Sequence, residues 1–210
     1  ITFNTLPDAT YSGKTITLTD SSGNSSTLTM SIFEIDTISP SISEVTPIST
    51  PSNNNKPTYV FNTNEIGTVT TNISQGLLSG SNVTSVGDHS VTFNTLPDAT
   101  YSGKTITLTD SSGNSSTLTM STFEIDTTSP SISEVTPIST PSNNNNPTYV
   151  FNTNEIGTVT TNISQGLSSG SNVTSVGDHS VTFNTLPDAT YSGKTITLTD
   201  SSGNSSTLTM

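Results

Sequence analysis

Apolar and polar positions alternate with a period of two along most of the chain, the spacing at which successive side chains of an extended strand fall on opposite faces of a sheet. Tyr59 and Phe61 share one face of 58–62, and Val69, Thr71 and Ile73 share one face of 68–74. Val91 and Phe93 alternate in 90–95, Ile106 and Leu108 in 104–109, and Leu118 and Met120 in 116–120. An earlier strand, 41–48, carries Ile42, Val45 and Ile48, and a weak one lies in 82–86. Turn formers separate these runs: Pro51-Ser-Asn-Asn-Asn, Asn64-Glu-Ile-Gly67, Gly80-Ser-Asn82, Gly87-Asp88, Pro97-Asp98 and Ser111-Ser-Gly-Asn114. Their Gly, Pro, Asn and Asp supply the backbone conformations that turns need. No stretch has a 3.6-residue period. Seven short strands in about 90 residues predict an all-β fold, an immunoglobulin-like β-sandwich with strands A to G. Phe123 and Ile125 are one residue out of phase with Leu118 and Met120. That shift predicts a bulge or strand break near Ser121-Thr122.

The pattern is written more than once. Residues 31–120 and 121–210 differ only at Ile32/Thr122, Ile38/Thr128, Lys56/Asn146 and Leu78/Ser168, so 86 of 90 positions match. Residues 1–30 repeat 91–120 with Ile1 in place of Val91. Ninety residues is long for a solenoid repeat and suits an autonomous small β-domain. The expected organisation is tandem domains in a window of a longer array. Residues 1–35 form the C-terminal part (strands E to G) of a preceding repeat. Residues 36–125 and 126–210 form two further repeats, the last with its final strand incomplete.

Composition raises disorder as an alternative, because hydrophobic residues make up only 28% of the chain. Charged residues are only 10%, whereas disordered chains pair low hydrophobicity with high charge. In 121–210 there are 17 Ser and 19 Thr, and β-branched Thr suits strands. Many short strands around a thin core are therefore expected. The 16 acidic and 4 basic residues give a net charge of -12. Such a polyanion repels nucleic-acid backbones, so no nucleic-acid partner is expected. No apolar run is long enough to span a bilayer, so no direct membrane insertion is expected of this segment. The absence of Cys removes disulfides, thiolate metal sites and Cys nucleophiles.

Several signatures resemble the bacterial immunoglobulin-like tandem repeats of large surface adhesins and biofilm proteins. They are Asp126-Thr-Thr-Ser-Pro130 (Asp36 to Pro40 in the earlier copy), Asn145-Asn-Pro147, Leu186-Pro-Asp188-Ala-Thr-Tyr191 and Asp200-Ser-Ser-Gly-Asn204-Ser. The chain departs from antibody domains in having neither the core Cys pair nor a Trp, and it has Ala99 and Ala189 where many such repeats have Gly. The resemblance implies an extracellular or cell-surface location and calcium between domains. Tyr101 and Tyr191 fall at the tyrosine-corner position, where the hydroxyl bonds back to nearby backbone.

Sandwich topology predicts where the carboxylates gather. The B–C, D–E and F–G turns share a pole with the entering chain, collecting Asp36, Glu65, Asp88 and Asp110, and their counterparts Asp126, Glu155, Asp178 and Asp200. The E–F turn places Asp98, or Asp188, at the opposite pole, facing the next linker's Glu124 and Asp126; Glu34 is the linker counterpart in the earlier copy. Crowded carboxylates with few Lys nearby repel one another unless a hard cation intervenes, and Ca²⁺ takes six to eight oxygen ligands. These twelve residues are the candidate Ca²⁺ ligands at domain junctions. The competing explanation is that Asp favours turns for local hydrogen-bonding reasons. Asp88-His89-Ser90 is no catalytic relay, because neighbours on a strand point to opposite faces.

These features predict a structural extender or stalk repeat with no catalysis. Its partners are the neighbouring identical repeats and, in a fibre, other copies of the chain. The alternatives are a repeat of a self-assembled extracellular filament, or a glycan- or ice-binding module using Thr rows such as Thr105, Thr107 and Thr109. The sequons at Asn72, Asn82 and Asn114 are no more frequent than so Asn- and hydroxyl-rich a sequence yields by chance.

Overall fold

The computed structural model describes all residues, 1–210. The chain is all-β and has no helix. In residues 1–35, β1 (Ala9–Tyr11) pairs with β4 (Phe33–Ile35), and β2 (Thr15–Thr19) with β3 (Ser25–Thr29). The first full copy holds β5 (Ile42–Thr46), β6 (Thr58–Thr63), β7 (Gly67–Thr71), β8 (Leu77–Ser79), β9 (Asn82–Val83), β10 (Gly87–Phe93), β11 (Ala99–Tyr101), β12 (Thr105–Thr109), β13 (Ser115–Thr119) and β14 (Phe123–Ile125). The second copy repeats β5–β10, β12 and β13 as β15 (Ile132–Thr136), β16 (Thr148–Thr153), β17 (Gly157–Thr161), β18 (Leu167–Ser169), β19 (Asn172–Val173), β20 (Gly177–Phe183), β21 (Thr195–Thr199) and β22 (Ser205–Thr209).

Each full copy forms two four-stranded antiparallel sheets, ordered β5-β6-β10-β8 and β13-β12-β7-β9 in the first. The second copy has β15-β16-β20-β18 and β19-β17-β21-β22. With β5, β6, β7, β10, β12 and β13 as strands A, B, C, E, F and G, this is the A-B-E-D and G-F-C order of the immunoglobulin sandwich. The segment between C and E switches sheets: β8 lies on strand E and β9 on strand C. It starts five residues before the weak strand read from the sequence, because Leu77-Leu78-Ser79 has no alternation to betray it.

The chain divides into two compact units. The first comprises Ile1–Pro47, Thr58–Phe93 and Gly103–Met120; the second comprises Ile48–Pro57, Asn94–Ser102 and Ser121–Met210. Within the first, the inward residues of both sheets are buried: Tyr59, Phe61, Val91 and Phe93 on one, Val69, Ile106 and Leu108 on the other. Within the second, Tyr149, Phe151, Val159, Val181, Phe183, Ile196 and Leu198 form one apolar cluster. Burial on this scale, about 1.5–3 kcal/mol per large side chain, is what a thin sandwich core has to offer against chain entropy. No buried side-chain polar atom lacks a hydrogen-bond partner.

Two local features depart from simple alternation. Strand β5 shifts register between Glu44 and Thr46 against Phe61 and Val60, and the bulged Val45 is 44% exposed rather than inward. The expected break after β13 lies at 120–122, and β14 then pairs with β11 as a two-stranded ribbon in the second unit.

Candidate functional site

Three turns and linkers bring carboxylates together in the first unit. Asp36 follows β4, Glu65 lies in the turn between β6 and β7, and Asp110 in the turn between β12 and β13. All three are half-buried, and one oxygen from each lies within 4.8 Å of the others. Local bonds fix each member. Asp110 Oδ1 accepts from the backbone N–H groups of Ser112 (2.8 Å) and Asn114 (2.9 Å), and its Oδ2 accepts from Asn114 Nδ2 at 3.0 Å. That same amide donates to the Asp36 carbonyl at 3.1 Å, joining linker to turn. The Glu65 backbone is held by the Thr63 hydroxyl, which donates to its carbonyl and accepts from its N–H, both at 3.2 Å. Hydrogen bonds from Asn114 and the turn backbone hold the Asp110 carboxyl below the ordinary range, although burial opposes them. An all-oxygen, acidic set of this kind could hold a metal ion and fits a hard cation rather than a soft one.

In the second unit the corresponding residues are Asp126, Glu155 and Asp200, and there the Asp126 carboxylate is itself engaged by a turn hydroxyl. Asn204 Nδ2 donates to the Asp126 carbonyl (2.9 Å) and to Asp200 Oδ2 (3.0 Å), and the Ser202 hydroxyl donates to Asp126 Oδ2 at 2.9 Å. Burial, and then the negative charges of Asp126 and Asp200, push the Glu155 carboxyl above its ordinary value.

The remaining candidates go elsewhere. Strand β10 starts at Gly87, so Asp88 enters the ladder opposite Asn62 and accepts from its Nδ2 at 2.6 Å. Asp178 does the same with Asn152. His89 bonds the Ser85 carbonyl through Nε2 at 2.8 Å, apart from Asp88. Asp98 accepts from the hydroxyls of Thr127 (2.9 Å) and Thr128 (3.0 Å) rather than meeting Glu124 or Asp126. The Thr127 N–H and hydroxyl hold it below the usual carboxylate range. Asp8 has the same relation to Thr37. Glu34 and Glu124 sit exposed on β4 and β14, and Asp188 is exposed.

The tyrosine corner is present three times: Tyr11, Tyr101 and Tyr191 donate to the carbonyls of Pro7, Pro97 and Pro187 at 2.8–2.9 Å. A pair absent from the sequence reading is Tyr59 with Glu44. The ring is fully buried and its hydroxyl donates to Glu44 Oε2 at 2.9 Å. Tyr149 and Glu134 repeat it. Burial first, and the carboxylate second, raise both phenols far above their ordinary ionisation range. Period-two alternation predicts the face Tyr59 occupies but not the acid its hydroxyl finds. Two of the three sequons in the unit use their amides structurally: Asn72 bonds Thr105 N–H and the Gly103 carbonyl, and Asn114 bonds the acidic turn.

No protein-family model matches the sequence, and comparison with curated proteins finds no match.

Proposed function

We propose that the 90-residue unit is a structural spacer, an immunoglobulin-like repeat of the bacterial surface-adhesin and biofilm type. It is multiplied to give length to a non-catalytic extracellular stalk or fibre. The observation that carries this reading is the conservatism of the duplication. Of the four positions that differ between full copies, Ile32 (71%), Ile38 (60%) and Leu78 (56%) are exposed. Every buried strand position is kept, as are the tyrosine corner and the acidic cluster. A repeated fold with a repeated surface adds extension and no new chemistry. The acidic, Ser/Thr-rich surface suits a long exposed polymer, because net charge keeps it soluble. In this reading the Asp36, Glu65 and Asp110 cluster, and its second-copy equivalent, bind Ca²⁺ where one domain follows another.

Small-angle scattering on this chain and on a version lacking one 90-residue copy tests the spacer role. The maximum dimension is expected to fall by at least about 24 Å, the span of the seven-residue strand β10 at about 3.4 Å per residue. An unchanged dimension, or a globular profile for both, overturns it. For calcium, the melting temperature is expected to rise by several degrees at saturating Ca²⁺, since a ligand at about a hundred times its Kd adds roughly 2.7 kcal/mol. Identical melts with Ca²⁺ and with chelator remove the metal from the proposal.

A further inference from the structure

We propose that the outer edge of β13, and of its equivalent β22, is a self-association site that pairs antiparallel with the same edge on a second copy of this chain. The inference goes beyond the spacer reading and does not rest on it.

Sheet order leaves four open edges in the first full copy, β5 and β8 on one sheet and β13 and β9 on the other. An open edge presents unpaired N–H and C=O groups, and proteins blunt such edges with bulges, charges, proline or brevity. Three of the four are blunted. Strand β5 is bulged at Val45 and carries Glu44. Strand β8 has three residues and a register shift against β10, and β9 has two residues. None of these devices protects β13. Its Ser115-Ser-Thr-Leu-Thr119 is five residues long, uncharged, free of proline and in unbroken register with β12. The second copy repeats the contrast, with β15 bulged, β18 and β19 short, and β22 unbroken against β21. Along the chain β13 is followed by a full copy and β22 is preceded by one, and each still ends its sheet. The open edge is therefore a property of the repeat.

The bonding phase fixes which groups face outward. Met120 N–H donates to the Lys104 carbonyl at 2.8 Å, and Asp110 N–H to the Asn114 carbonyl at 3.0 Å. Alternate residues of an antiparallel strand bond to the same neighbour, so Ser116 and Leu118 bond to β12. Ser115, Thr117 and Thr119 then aim their N–H and C=O groups away from the sheet. A strand centred on Thr117 is self-complementary about a two-fold axis: Thr117 meets its own counterpart, and Ser115 meets Thr119 of the second copy. Hydroxyl pairs of this kind already occur inside the sheet, where Thr107 and Thr117 share a hydrogen bond at 2.8 Å, as do Thr197 and Thr207. Leu118 is half-buried at the edge, whereas Ile106 and Leu108 on β12 are fully buried. An added strand extends the cover over it. Charge selects the same partner. With a net charge of -12, two copies approach at least cost where carboxylates are missing. Every outward residue of β7, β12 and β13 is Thr or Ser, whereas Asp88 stands exposed on β10 of the other sheet.

Sedimentation velocity on the full chain tests this, in chelator so that calcium bridging plays no part. The weight-average mass is expected to climb toward about twice that of one chain as concentration rises to about 1 mM, the range of weak association. Added salt should strengthen the association, because it screens repulsion between like-charged copies. Over the same series the Thr117 and Thr207 amides should exchange several-fold more slowly with solvent, while those of the short edge β9 stay unchanged. Thr117→Pro and Thr207→Pro, with Thr27→Pro at the same position of β3, remove only outward N–H groups, a change that an edge strand tolerates. The chain should then stay monomeric. Thr27→Glu, Thr117→Glu and Thr207→Glu keep the backbone donors and set like charges against each other on the two-fold axis, which should weaken association about tenfold or more. Ser12→Glu, Ser102→Glu and Ser192→Glu add the same charge at exposed positions off the edge and should leave association in high salt within about twofold. A mass independent of concentration, association that survives the edge Glu changes, or equal loss in the Ser-substituted chain overturns the proposal. The scattering test reads single chains at dilution, so failure here leaves the spacer reading standing, and the reverse also holds.

Discussion

Two acidic residues with opposite surroundings give the sharpest residue-scale expectations. Glu134 accepts the hydroxyl of the fully buried Tyr149. Glu134→Ala strands that hydroxyl in the sandwich and should cost about 1–3 kcal/mol, the price of an unsatisfied buried donor. Pairing it with Tyr149→Phe should recover part of the loss, and equilibrium urea unfolding measures both. Glu155 is the reverse case, a carboxyl raised above its ordinary value by burial and by Asp126 and Asp200. A raised carboxyl favours the protonated folded state, so stability falls as pH climbs from the model-compound value of 4.5 through the higher folded value. Glu155→Gln should therefore stabilise the calcium-free protein near neutral pH by about 0.5 kcal/mol, less in high salt, and should do nothing below that window. Under the proposed calcium role the sign should reverse in saturating Ca²⁺, because the substitution removes one of the proposed ligands. Melts across pH with and without Ca²⁺ would expose the absence of either sign.

At the scale of the strand and turn, close backbone approach decides what is tolerated. Gly80 sits between β8 and β9 with φ at +82°, and a Cβ there would run into the Ser90 carbonyl. Gly80→Ala should cost about 2 kcal/mol or more, by left-handed strain and by pushing β8 off β10; a chemical melt within 0.5 kcal/mol of wild type would contradict this. How far the elements were legible follows from the same local physics. Strands B, C, E, F and G were readable because two-residue alternation reports a half-buried ladder directly. Strand β8 was hidden because it is three residues long and lies in a segment that switches sheets, and the bulge at Val45 was invisible because Ile42, Val45 and Ile48 do not keep a two-residue period. The three-residue β11 and β14 were missed as a pair, since the phase shift at Phe123 marks a break without naming a partner. The acidic cluster was partly legible: topology draws the linker, B–C and F–G turns together, which gathers Asp36, Glu65 and Asp110. Asp88 was diverted because β10 begins one residue before it, turning an apparent turn residue into a ladder residue opposite Asn62. The Tyr59–Glu44 bond needed the register between β5 and β6, which no sequence period encodes.

For the whole molecule, the consequence of repetition is coupling between neighbours. Residues 48–57 and 94–102 come from the first copy, yet they pack in the second compact unit together with 121–210. Asn53 N–H donates to the Ser202 carbonyl at 3.2 Å, and the Asp98 carboxylate takes the Thr127 hydroxyl. Each copy thus completes the pole of the copy before it, burying Ile48 and Tyr101 to 6% and 8% exposure. Stability in tandem-repeat proteins is approximately a sum of intrinsic terms and nearest-neighbour interfaces. The apolar surface closed at one joint, a few partly exposed side chains becoming buried, corresponds to about 2–3 kcal/mol. Chains with one, two, three and four copies should therefore melt at rising temperatures, with the largest step, roughly 5–10 °C, on adding the second copy and a plateau thereafter. Phe123→Ala should erase most of that step while leaving the single-copy melt where it was, since it removes the anchor of the joint and not of either sandwich. Calorimetry on the series decides the matter: a melting temperature independent of copy number would mean that the copies are thermodynamically separate beads, and the joint described by the β11–β14 ribbon would carry no stabilising energy.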